Sequence, residues 1–188
     1  MTDHPSDSEQ SISLQGQLLL ASPTLADGTF DHSVIMLAQH TAAAGAFGMI
    51  INHPTDASVG DLIPDLGSSA LSNLPVHRGG PLSTAELTFS SFAWSVKNGL
   101  AYRPNISAKV AALLMGKSGH IVHATIGHSA WSPGQLETEL LQNTWITLRP
   151  TQNLLSHSHD LDLWKSLLKT ISPYHDLLSQ APQNPLLN

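Results

Sequence analysis

Between Gly127 and Trp145 the chain reads GHSAWSPGQLETELLQNTW, and its polar residues are spaced to do chemistry on a helix. Ser132 can act as a cap, Pro133 suits the first helical position, and Gln135 falls where a capping-box side chain reaches back to the cap. At about 100° per residue, Leu136, Leu140 and Leu141 form an apolar arc into which Glu137 projects, whereas Gln135, Glu139 and Gln142 gather on the other side. The spacing therefore predicts a core-facing Glu137, and a carboxylate there has to be hydrogen-bonded, paired or protonated. It reads either as a buried acceptor for backbone amides of a neighbouring loop or as a general base or ligand anchor. No second catalytic group stands beside it in sequence, which favours the acceptor.

The other candidates are fewer. Asn52 leaves the apolar run FGMIIN just before His53-Pro54, a strand end where sites are commonly built and where turn chemistry is also routine. Gly79-Gly80-Pro81 could offer amides to an anion, yet it lacks the lysine and hydroxyl residue of a P-loop, and close backbone packing is the competing use. Ser129 sits between an expected strand and helix like the serine of a nucleophile elbow, but Trp131 occupies a place that must be small, so Ser129 reads as a packing residue. Asp61 and Asp65 read as a solvated face.

Eleven histidines raise the question of a metal. His120 and His123 are an odd step apart on an expected strand and face opposite sides, which leaves His157 and His159 as the close pair with reach. No HExxH motif accompanies them, and no metal or other cofactor is expected.

Positioning these residues requires a definite set of elements. Gln17 to Ser22, Ser33 to His40 and Phe47 to Asn52 read as strands. Ser58 to Leu66 reads as a short helix with a Ser-x-x-Asp start, shortened or kinked at Pro64. Val76-His77 and Glu86 to Phe92 follow as strands, and Ser107 caps a helix through Met115 with Val110, Leu113 and Leu114 on one face. Strands at His120 to Ile126 and Trp145 to Leu148 flank the motif helix. A last helix, His159 to Ile171, places Leu161, Trp164, Leu167, Leu168 and Ile171 at core spacing before Pro173. Strands joined by short turns early and strand-helix alternation late give a mixed sheet with helices against it, α+β or mixed α/β.

With 188 residues, one domain over 15–179 is expected, with a polar disordered tail at 1–14 and a loose tail at 180–188. Charged residues are 12% and hydrophobic residues 41% of the chain, a folding composition. The eight lysines and arginines stand singly in a chain of net charge -6, which disfavours direct nucleic-acid binding. Cysteine is absent, so disulfides, thiolate metal sites and cysteine nucleophiles are excluded together. The acidic, polar start and the lack of an apolar run of about 18 residues point to the cytoplasm, with no membrane partner.

The segments GQLLLASPTLADGTFDHSV, GAFGMIINHP, RGGPL and IGHSAWSPGQLETELLQNTW together resemble the bacterial AlgH/YqgE family, in order from Gly16 to Trp145 and more loosely through the last helix. The resemblance implies a compact α+β domain whose mixed sheet bends into a pseudo-barrel with helices packed outside, in a cytosolic protein without an established activity. Some members are labelled transcriptional regulators through a link to alginate synthesis. The family pattern falls here on Pro23, Asp27, Phe30, Ser33, Gly48, Asn52, Pro54, Gly79, Gly80, Pro81, Gly127, Trp131, Gly134, Gln135, Leu136, Glu137, Asn143 and Trp145. After Gly80-Pro81 the chain reads LSTAELTFSSF, without the family's usual Arg-Gly-Phe, and His32 replaces a common arginine; both departures weaken anion binding at that loop.

The first reading is a non-catalytic binding or regulatory protein acting through a protein or small-molecule partner, with Gly79, Gly80, Asn52, Gln135 and Glu137 as binding residues. The alternative is an enzyme of hydrolytic type using Glu137 with Asn52 or a histidine near the Gly79-Gly80 turn. A transcriptional regulator binding DNA directly would need a basic, groove-sized surface. The expectation common to the first two is that Asn52, Gly79, Gly80 and Glu137 meet in space. Oligomeric state is left open.

Overall fold

The structure, a computed structural model, describes residues 13–180. Most of the two expected tails, residues 1–12 and 181–188, lies outside the described residues, whereas Ser13 and Leu14 are already bonded to His40.

The strands are β1 (Leu18–Ala21), β2 (Val34–Thr41), β3 (Gly45–Ile50), β4 (Pro54–Ser58), β5 (Pro75–Arg78), β6 (Leu82–Ser95), β7 (Gly99–Ile106), β8 (His120–Trp131) and β9 (Trp145–Leu148). The helices are α1 (Val59–Leu62), α2 (Ala108–Leu114), α3 (Gln135–Leu141), α4 (Asp162–Ile171) and α5 (Pro173–Gln180), with 3-10 turns at Pro64–Leu66 and Gln152–Leu155. One mixed sheet runs β4-β5-β8-β3-β2-β1-β9, and β6 pairs with β8 and carries β7. The sheet curls into a half-barrel with helices packed on it, an α+β fold. The long strand β8 is its spine: Val76↔Ala124 joins β5 in parallel, Phe89↔Ala124 joins β6 antiparallel, and Ala46↔Trp131 joins β3.

Both faces of the sheet's middle are covered, which explains why β1 and β2 read as unbroken apolar runs instead of alternating ones. Leu18, Leu20, Val34 and Met36 pack with Leu163, Trp164 and Leu168 of α4. Their neighbours Leu19, Ala21, Ile35 and Leu37 pack on the opposite face with Trp131, Leu136 and Trp145. A third cluster joins Val59, Leu71, Val76, Phe89, Ala111 and Ala124. Trp164 Nε1 donates to the Ala21 carbonyl at 2.8 Å inside the core and so fixes α4 on β1. Among the described residues no helix is long and apolar enough to cross a membrane.

Several elements differ from the sequence reading. Strands β4 and β7 are absent from the sequence reading; each contains a proline, Pro54 and Pro104, and both lie where proline is tolerated, β4 at the sheet edge and β7 paired with β6 alone. Helix α2 buries Ala111 and packs Ala108, Ala112 and Leu114 against the third cluster, while Val110 and Leu113 are exposed, so of the expected face only Leu114 turns inward. Helix α4 starts at Asp162 and exposes Leu161, and Pro173 both ends α4 and opens α5. The Ser58 start of α1 is as expected, with Ser58 N–H and Oγ–H donating to Asp61 Oδ2 at 2.8 and 2.6 Å.

Candidate functional site

Helix α3 begins at Gln135, later than the Ser132 cap predicted, because β8 extends to Trp131 and Gly134 turns the chain at φ 78°. The reach-back survives: Ser132 N–H donates to Gln135 Oε1 at 3.0 Å. Only Leu136 is fully buried, Leu140 is half-buried and Leu141 is 86% exposed. With Leu141 outside the arc, its centre lies between Leu136 and Leu140, about 80° from Glu137 on one flank and about 80° from Glu139 on the other. Each flank carries one carboxylate.

Glu139 is the one tied into the interior. Its Oε2 accepts both indole N–H groups, from Trp131 at 2.8 Å and Trp145 at 2.7 Å, and its Oε1 accepts from Gln135 Nε2 at 2.9 Å. Charge-assisted bonds of this kind are the strong ones. They join the end of β8, the start of β9 and α3 through a single group. The two indoles stand nearly perpendicular at 5.9 Å, and Phe30 meets Trp145 edge-on at 5.6 Å. Phe30 is seated by a tight turn in which Asp27 Oδ1 accepts from the Thr29 and Phe30 amides, while Asp31 Oδ1 accepts from the Asp27 and Gly28 amides. Between this turn and α3 lies a pocket of about 160 Å³ lined by Asp27, Phe30, Trp131, Gln135, Glu139 and Trp145, among others. Sequence reasoning passed over Glu139 because it assigned Leu141 to the core; the two tryptophans flanking the helix were the signal that could have found it.

Glu137 is half-buried, its side chain 43% exposed, and it accepts no backbone amide from a neighbouring loop. Its partner is His40 Nε2, at 3.0 Å. Leu14 N–H donates to His40 Nδ1, so Nδ1 is the bare nitrogen and Nε2–H donates to Glu137 Oε1. The expected buried acceptor is thus corrected to a partly exposed clamp between α3 and β2. Asn52 is buried and structural, its Oδ1 accepting from Val34 N–H at 2.7 Å and its Nδ2 donating to the His32 carbonyl at 2.9 Å. That brace holds the entry to β2 where His32 sits at φ 56°.

The glycine turn is a packing device. Gly79 N–H donates to the Ile126 carbonyl and its own carbonyl accepts from Ile50 N–H, so that amide is not free for an anion. Ser129 Oγ also donates to the Gly79 carbonyl, at 3.3 Å, which places Ser129 as a buried packing residue. Gly79 and Asn52 belong to the same neighbourhood, as the bonds of Ile50 with Gly79 and His53 with Arg78 show. Glu137 does not. Asn52 bonds Val34 at the start of β2 and Glu137 bonds His40 six residues on, a separation on the order of 20 Å along a strand. The expected meeting of Asn52, Gly79, Gly80 and Glu137 fails at its last member.

Three histidines from separate segments do converge. His123 stacks between His77 and His159, with ring centroids 4.6 Å from each. His159 Nε2–H donates to the Leu154 carbonyl, which leaves His159 Nδ1 to accept from His123 Nε2–H at 2.5 Å; His77 Nε2–H donates to the His159 carbonyl at 2.8 Å. The Nδ1 atoms of His77 and His123 are buried without a partner. Among the described residues no group of three or more histidines and carboxylates is arranged to hold a metal ion. The reading that paired His157 with His159 looked only at short spacings, and the one sequence signal was His123 inside the apolar run IVHATI. Burial lowers the pKa of all three rings, His123 most strongly, with the neighbouring histidines acting in the same direction on His123. With folded values below the unfolded value, the unfolded chain binds more protons below about pH 6.5, so stability is complete above that pH and is lost as pH falls toward the folded values. Each excess proton steepens the loss by about 1.4 kcal/mol per pH unit. Urea unfolding from pH 7.5 to 5 is expected to show this slope in the wild type and a shallower one in His123→Gln; equal slopes would contradict the assignment.

A family model described as AlgH-like matches residues 18–175. The chain belongs to the AlgH-like family. Its relatives include a UPF0301 protein of Bacteroides thetaiotaomicron, 30% identical over 93% of this chain and 91% of the relative, and one of Chlamydia pneumoniae, 29% identical over 93% and 95%. Among solved structures, the solution structure of the AlgH protein from Pseudomonas aeruginosa superposes with a TM-score of 0.63 at 22% identity, covering 97% of this chain and all of that one. A crystal structure of a Corynebacterium diphtheriae protein gives 0.68 at 20% identity over 92% and 94%. At these identities the likeness extends to the AlgH-like fold.

Proposed function

We propose that this AlgH-like protein is a non-catalytic binding or regulatory protein of the cytoplasm that engages a protein or small-molecule partner at the Trp131–Trp145 pocket. The observation that carries this reading is convergence: Asp27, Phe30, Trp131, Gln135 and Trp145, separated in sequence and all on family-pattern positions, line one cavity. The cavity holds carboxylates and aromatic rings, with Thr144 but no histidine to activate its hydroxyl, and the Glu139 oxygens are already engaged by indole and amide donors, an arrangement suited to holding a group more than to attacking one. Regulation by direct DNA contact has no support from the charge, since the cations remain dispersed along an acidic chain.

A catalytic reading keeps one foothold. A second pocket, of about 180 Å³, lies against Gly127 and takes in Ser83, Glu86, Asn105 and His128. Ser83 and Asn105 sit at φ 51° and 53°, and strained backbone gathers at functional sites. A hydrolase would use His128 with Glu86 there, in place of Asn52 with Glu137. The discriminating experiment is retention of proteins and metabolites from native extract on immobilised wild type, Asp27→Asn and His128→Gln. The proposal expects a retained species that Asp27→Asn loses and His128→Gln keeps. Retention insensitive to Asp27, or turnover of a retained metabolite that requires His128, would overturn it.

A further inference from the structure

We infer that the Trp131–Trp145 pocket takes a cationic group, an ammonium or guanidinium; this rests on the reading of that pocket as the binding site. Two carboxylates, Asp27 and Glu139, line the cavity, and no lysine, arginine or histidine does. The bonds that hold Glu139 come from indole and amide N–H groups, which orient the carboxylate without cancelling its charge, and among the described residues it makes no ion pair. A partly buried anion without a counter-charge is costly, and the cost is recovered when a cation enters. At the rim, the turn uses Asp27 Oδ1 alone, so the charge of that group also remains unpaired.

The walls fit the same class. Phe30, Trp131 and Trp145 bring three rings into the cavity at mutually steep angles, 81° and 82° between neighbours. A wall of aromatic rings beside a carboxylate is what organic cations select. An anion would meet two carboxylates, and a neutral group would leave both uncompensated. A cavity of about 160 Å³ has room for one side-chain terminus or a small amine.

The test follows the indole Nε1–H resonances of Trp131 and Trp145 during titration with choline and argininamide, beside the uncharged counterparts 3,3-dimethylbutan-1-ol and Nα-acetylcitrullinamide and the anion pivalate. The expected result is movement of those two resonances, with Trp94 and Trp164 still, and cation dissociation constants about tenfold below those of the neutral compounds. Added salt should weaken the cations, and Asp27→Asn, which keeps the Oδ1 acceptor of the turn, should weaken them about three- to tenfold without changing Tm. An acetylated, amidated peptide with a single arginine assigns the source: tighter binding than argininamide marks a protein side chain, weaker binding a free amine. If neutral compounds or pivalate move the same resonances as strongly, the cation assignment falls while the pocket remains a binding site. If no compound moves them, the assignment and the reading of the pocket fall together.

Discussion

Gly80→Ala is expected to lose about 3 to 5 kcal/mol of stability, a large share of a domain's usual margin. Gly80 has φ 152°, a region that side chains rarely adopt, and an added Cβ would lie 2.2 Å from the His128 carbonyl oxygen and 2.3 Å from its carbon. The collision is with the backbone of β8, so no side-chain rotation relieves it; the turn or the spine strand must move. Gly116 provides the comparison, since it shares positive φ, at 74°, but has no atom within 4 Å of an added Cβ. Gly116→Ala should cost about 1 kcal/mol, the conformational part alone. Chemical denaturation of both variants separates the two contributions, and equal losses would mean that close packing against His128 is not what fixes glycine at position 80.

Glu139→Leu should cost about 3 kcal/mol or more, because it leaves the indole N–H groups of two buried tryptophans without their acceptor at the junction of β8, α3 and β9. Glu139→Gln keeps an oxygen in place and should cost about 1 kcal/mol. Glu137→Gln, on the exposed flank of the same helix, should also cost about 1 kcal/mol or less, since its bond to His40 is partly solvated. Urea midpoints of the three variants check the order. If Glu137→Gln were the most damaging, the inward carboxylate would have been misassigned.

Residues whose partners are near in sequence were legible there. The Ser58–Asp61 cap, the Ser107 cap of α2, the apolar runs of β1 and β2, and the Trp145–Leu148 strand all follow from spacing and propensity. The α+β half-barrel came through the family resemblance. Three features were hidden because contacts distant in sequence decide them. Glu139 turns inward by virtue of Trp131 and Trp145, not by its place on a helical wheel that Leu141 misdirects. Asn52 is fixed by the backbone of Val34 and His32, which no pattern around Asn52 specifies. The His77–His123–His159 stack needs β5, β8 and the segment before α4 brought together. Gln135 reaches back across the start of α3 to the Ser132 amide, as its capping-box place in the sequence indicates, and its Nε2 donates to Glu139.

Asn52 and Glu137 serve separate tasks, Asn52 bracing the entry to β2 and Glu137 clamping α3 to His40 of β2. Paired double-mutant cycles measure this most directly. Asn52→Ala with Glu137→Gln should be additive within about 0.5 kcal/mol, as distant sites are, whereas His40→Gln with Glu137→Gln should show a coupling of about 0.5 to 1 kcal/mol. Coupling between Asn52 and Glu137 above that limit, with none between His40 and Glu137, would contradict the account.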